Sequence, residues 1–163
     1  MDLKKLIGKE IKGQFLQNRE GVENDIRGIN SMKEELSPED FRKYSLDVQK
    51  SKSPVEFSMR LLYINPSSGL FMARCEDFFG ESAISGIILP GLHEIIHFQK
   101  AYVGESYFSD DCERNFNRQF RQFFHSGNYG VGNEKEFVAK GKYSMHGHNH
   151  LKGGIWNMES DLK

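Results

Sequence analysis

From Phe57 onward the chain repeats one device. Apolar and polar residues alternate with a period of two over short reaches, and each reach ends among Gly, Pro, Asn or Ser. A period of two puts successive side chains on opposite faces of an extended strand, so each reach can bury one face and wet the other. Phe57, Met59, Leu61 and Tyr63 alternate with Ser58, Arg60, Leu62 and Ile64 before the turn Asn65-Pro66-Ser67-Ser68-Gly69. Leu70 to Cys75 carries the chain back, Gly80 sits in the next turn, and Ile84-Ser85-Gly86-Ile87-Ile88 leads to Pro90-Gly91. His93 to Tyr102, Phe123 to Tyr129, Phe137 to Met145 and Gly154 to Met158 continue the series, and Ile11 to Phe15 supplies a strand ahead of it. Leu3, Leu6 and Ile7 form a brief amphipathic turn before that first strand. Approximately eight strands in meander order predict a mainly β fold closed into an antiparallel barrel, because closure leaves no unpaired edge. At 163 residues the chain has the length of a single domain, 1–163.

Two stretches depart from that period. Ser37-Pro38-Glu39-Asp40 offers a capping hydroxyl, a proline for the first helical position and acids for the first turn, with Phe41, Tyr44 and Val48 following at helical spacing. A helix over about 38–50, inserted between the first two strands, is expected to stop before Ser51-Lys52-Ser53-Pro54. From Asp110 to Phe124 a strand would mix arginines and aromatics on one face. A helix separates them: Phe116, Phe120 and Phe123 fall on one stripe, and Arg114, Arg118 and Arg121 on another offset by about 200°. Asp110 and Glu113 have capping-box spacing, so a short helix over about 110–122 is expected to lie on the barrel.

The reach Ile96-His97-Phe98-Gln99-Lys100-Ala101-Tyr102 resembles the I-x-F-x-K-x-Y strand of lipocalin-like, or calycin-type, barrels. Upstream, Glu76-Asp77-Phe78-Phe79-Gly80 and Ile84-Ser85-Gly86-Ile87 are similar to the D-x-x-G turn and I-x-G-x-I strand that precede it there. Downstream, Ala139-Lys140-Gly141-Lys142-Tyr143 and Gly154-Ile155-Trp156-Asn157-Met158 resemble the last two strands of such proteins. The likeness covers about residues 57–159 and implies a calycin-like barrel. A fold of this kind hosts many functions, so the reading of the site must come from its residues.

Phe98, Lys100 and Tyr102 share one strand face with Ile96, while His93, Ile95, His97 and Gln99 share the other. If the Phe98 face is the inner one, Lys100 and Tyr102 lie toward the barrel mouth, where an ammonium and a phenol can meet an acidic head group above an apolar floor. The competing arrangement has Lys100 reaching to solvent while Phe98 simply packs. Phe98 and Trp156, the large aromatics of their strands, are expected in the core or lining a cavity. Together with Lys100, Tyr102 and Tyr143 they form the candidate ligand-binding set.

His146, His148 and His150 can supply nitrogen ligands to zinc or a similar metal. Gly147 and Asn149 between them mark a hairpin turn that splays the rings, so neither metal nor cofactor is expected and a metal-dependent enzyme is the alternative. Cys75 and Cys112 stand in no recognisable catalytic signature, no G-x-S-x-G elbow occurs, and Glu76, Asp77 and Glu81 read as solvated turn carboxylates.

A formal net charge of -1 disfavours nucleic acid as a partner, and the longest apolar run falls far short of the roughly 20 residues that span a bilayer. The opening Met1 to Gly8 turns polar too early for a secretory leader, and two cysteines make no disulfide framework, so a cytoplasmic location is expected. The expectation is a non-enzymatic barrel that binds a small apolar or amphipathic molecule inside it or makes contacts through its outer face, with the oligomeric state left open. A further alternative is a protein-interaction module docking through the helix that bears Phe116 and Phe120.

Overall fold

A computed structural model describes residues 2–89, 94–102, 122–132, 136–145 and 153–162. Eight strands run β1 (Glu10–Gln17), β2 (Val55–Ile64), β3 (Leu70–Asp77), β4 (Gly80–Leu89), β5 (Ile95–Tyr102), β6 (Gln122–Val131), β7 (Glu136–Met145) and β8 (Gly153–Asp161). Each pairs antiparallel with its neighbour in sequence, and β8 returns to β1 to close the barrel. The mainly β class and the meander order are as the alternation predicts, and the architecture is compatible with a calycin-like fold.

Two rows of cross-strand neighbours show how the interior is filled. One runs Ile64, Phe71, Gly86, Phe98, His125, Tyr143, Gly154 from β2 to β8. The other runs Ile88, Ile96, Gly127, Gly141, Trp156, Phe15 from β4 to β1. Large rings occupy the space that glycines leave, as a narrow barrel requires. Gly127 and Gly141 face one another so closely that a Cβ on Gly141 would lie 1.9 Å from the Ser126 carbonyl oxygen. Phe98 and Trp156 are both buried, as expected, and their rings meet edge to face at 5.3 Å.

The two ends of the barrel differ. A 3-10 turn over Leu3–Leu6 buries Leu3 and Leu6 under the end where β1 begins, and the Gly8 N–H donates to the Leu61 carbonyl at 2.9 Å. The opposite end carries the β3–β4 hairpin and two helices, α1 (Arg19–Ser31) and α2 (Pro38–Lys50). Ser37 caps α2 as its sequence predicts, its Oγ accepting from the Asp40 N–H at 3.1 Å. The helix α1 is an addition to the sequence reading. Its Asn18 side chain makes no capping hydrogen bond and Gly28 is a poor helix former, so only Val22, Ile26 and Ile29 at helical spacing mark it in the sequence. No helix among the described residues is long and apolar enough to cross a membrane.

One alternation is corrected. Tyr63, grouped by period with Leu61, points outward, because a register shift between Leu61 and Tyr63 inserts an extra residue and turns Ile64 inward instead. The helix expected over 110–122 lies outside the described residues, except that Gln122 begins β6.

Gly141→Ala should destabilise the barrel by about 1–3 kcal/mol, since the added methyl meets backbone that cannot swing aside. Urea unfolding checks this, and an unchanged midpoint would contradict the close approach of β6 to β7.

Candidate functional site

The structure turns the Phe98 face of β5 inward, so Phe98, Lys100 and Tyr102 all enter the barrel while His97 points out. Lys100 lies one step nearer the helical end than Phe98, opposite Phe123 and Ile84. It is only 4% exposed, and so does not reach to solvent. Its ammonium is held by Asp77 Oδ2, to which the Tyr102 hydroxyl also donates at 2.7 Å. The second carboxylate oxygen of Asp77 accepts the Phe79 N–H at 2.8 Å, which ties the pair to the β3–β4 turn. Gly80 closes that turn with a φ of 123°, a conformation that side chains strongly disfavour.

Aromatic rings complete the surroundings of the charge. Lys100 Nζ lies 5.0 Å from the ring centre of Phe15, 5.8 Å from Phe57 and 4.7 Å from Tyr102. The rings present their negative faces to the ammonium where water is excluded, offsetting part of its desolvation. The acid that Lys100 and Tyr102 hold is therefore the chain's own. Asp77, read from the sequence as a solvated turn carboxylate, has a fully buried side chain. The signal that would have found it is parity: Phe71, Ala73, Cys75 and Asp77 share one face of β3, and the first three are core residues.

Below this cluster His125 is the middle of three stacked rings, 4.3 Å from Phe98 and 5.3 Å from Tyr143 between ring centres. Burial, reinforced by the nearby Lys100 charge, lowers its pKa to about 3, so it is a neutral aromatic spacer at ordinary pH. Burial likewise pushes the Tyr143 hydroxyl and the Cys75 thiol up, so both keep their protons. Trp156 Nε1 donates to the Lys142 carbonyl at 3.0 Å. Phe98, Tyr143 and Trp156 thus come together, with His125 among them and Lys100 and Tyr102 just above.

A different place is open to solvent. An apolar concavity of about 1030 Å³ is lined by outward residues of β2 to β8. Its outward residues fall in two rows, Tyr63, Met72, Ser85, Gln99, Phe124, Ser144 and Leu70, Ile87, His97, Ser126, Lys142, Ile155. Met72 is 57% exposed and Ile155 54%, with Leu70, Tyr63 and Phe124 also well exposed. The signal in the sequence is that these strands carry apolar residues at both parities, which a strand with one wet face does not need. Inward residues Phe71, Phe98, His125 and Tyr143 also border it.

His146, His148 and His150, as well as His93, Cys112, Phe116, Phe120, Arg114, Arg118 and Arg121, lie outside the described residues. Among the described residues no three His, Cys, Asp or Glu side chains are grouped to hold a metal ion.

Removing one member of the buried pair strands the other. Asp77→Asn should cost about 3–5 kcal/mol, and combining Lys100→Met with Asp77→Leu should restore most of it. Chemical denaturation of the two proteins checks this; equal losses in the single and double variants would show that the charges do not support one another. For His125 the folded value lies below the unfolded one, near 6.5, so the unfolded chain binds the proton first. Its contribution is complete above pH 6.5 and is lost as pH falls toward 3, which amounts to about 2 kcal/mol between pH 7 and pH 5. A His125→Phe variant should lack that part of the pH dependence when both proteins are unfolded in urea at the two pH values.

Comparison of the chain with protein-family models, with curated proteins and with solved structures found no match to any of them.

Proposed function

We propose that this chain is a calycin-type barrel without catalytic activity that binds a small apolar or amphipathic molecule, and that the binding surface is the outer concavity. The observation that carries the reading is the contrast between the two faces of one sheet. Inside, Phe71, Phe98, His125, Tyr143 and Trp156 are buried against one another, and the Lys100 charge is matched by Asp77. Outside, Tyr63, Leu70, Met72, Phe124 and Ile155 leave apolar surface in water around a hollow of ligand size. Contiguous exposed apolar surface with a few polar groups around it is the usual mark of a binding site. The hollow also borders Phe98 and Tyr143, two of the residues that the sequence nominates.

Titration with the uncharged probe phenylnaphthylamine tests the reading through its fluorescence. Saturable binding is expected, about tenfold weaker in Met72→Glu, which alters an exposed side chain and should leave the melting temperature unchanged. A conservative interior change, Phe98→Leu, should leave the affinity near that of the parent. Binding that responds to Phe98→Leu and ignores Met72→Glu would move the ligand inside the barrel, and no saturable binding would overturn the reading.

A further inference from the structure

We infer that the outer concavity selects molecules that carry an acidic group on their apolar body, with Lys142 as the anchor; the inference rests on the reading of that concavity as the binding surface. Among the described residues that line it, Lys142 is the one Lys or Arg, and none is Asp or Glu. Some surface cations sit beside carboxylates, as Lys12 does with Glu10 and Arg74 with Glu81. Lys142 instead has Ser126 and Ile155 as its cross-strand neighbours, and no ion pair to it occurs among the described residues.

Register places exposed apolar side chains directly beside the charge. Lys142 on β7 lies between Ser126 on β6 and Ile155 on β8, and Phe124 is two residues from Ser126 on β6. Three neighbouring strands, β6 to β8, span about 10 Å along the sheet. A molecule lying across these strands can therefore put its acid on Lys142 and its apolar body over Ile155 and Phe124. Ser126 and Ser144, on the same outer face beside Lys142, add hydroxyls that can donate to an anion. A neutral molecule of the same shape would leave the ammonium beside apolar surface with only water as its partner. The selection is for a soluble small molecule, since the apolar residues lie in a concavity rather than on a projecting surface.

A matched pair of probes isolates the charge. Anilinonaphthalene sulfonate and phenylnaphthylamine share a ring system and differ in the sulfonate. At low salt the sulfonate should bind about three- to tenfold more tightly, as one partly exposed ion pair allows. That advantage should shrink as salt is raised, vanish in Lys142→Met and survive in Lys142→Arg, while the affinity for the neutral probe stays constant. Equal affinities in the parent protein, or an advantage that persists in Lys142→Met, would overturn the inference while leaving the binding surface in place. Binding of neither probe would remove the surface itself. Sedimentation of the chain with phosphatidylglycerol vesicles, lost in Lys142→Met, would assign the face to a membrane surface and overturn the small-molecule selection.

Discussion

Closing eight strands on themselves leaves an interior about as wide as the side chains that must fill it, and that constraint governs the rest of this molecule. A ring on one strand needs a small residue beside it. Gly86 stands next to Phe98, Gly154 next to Tyr143, and Gly141 next to Trp156. The same narrowness excludes water from whatever polar groups point inward, so each must find its partner within the chain.

That requirement explains the one buried ion pair among the described residues. Lys100 faces inward because of its parity with Phe98, and its charge is matched by Asp77 from the hairpin turn, by the Tyr102 hydroxyl that shares the carboxylate, and by three aromatic rings. The turn is thereby coupled to β5 across the barrel end. A pair of this kind contributes little net stability beside an apolar replacement, but it strongly penalises any register in which one partner is buried alone. His125 meets the same exclusion of water differently, by remaining neutral and packing as a ring.

A filled interior also bears on function. Where the inner face has stacked its own side chains, binding requires surface elsewhere, and the outer rows from Tyr63 to Ile155 supply apolar side chains that the fold itself does not bury. Among the described residues lining that surface, the cationic side chain is Lys142. These two features carry the proposal of an acidic, apolar ligand.

The class of fold was legible in the sequence because strand parity is a local property. The alternation from Phe57 to Ile64, or from Phe137 to Met145, states which residues share a face without reference to anything distant, and Ser37-Pro38 states where α2 begins. Parity does not say which of the two faces is inner. On β5 either His97 or Phe98 satisfied the pattern, and the choice followed only once β4 and β6 had paired on both sides. The register shift after Leu61, which sends Tyr63 outward, is likewise a property of two strands together. The partnership of Lys100 with Asp77 spans 23 residues, and the outer concavity draws its two rows from six or more strands. Sequence alone determined the period, the turns and one helix cap, which depend on neighbours a few residues away; tertiary structure decided which face is buried, which charges meet and where apolar surface is left in water, because those depend on pairing between distant strands.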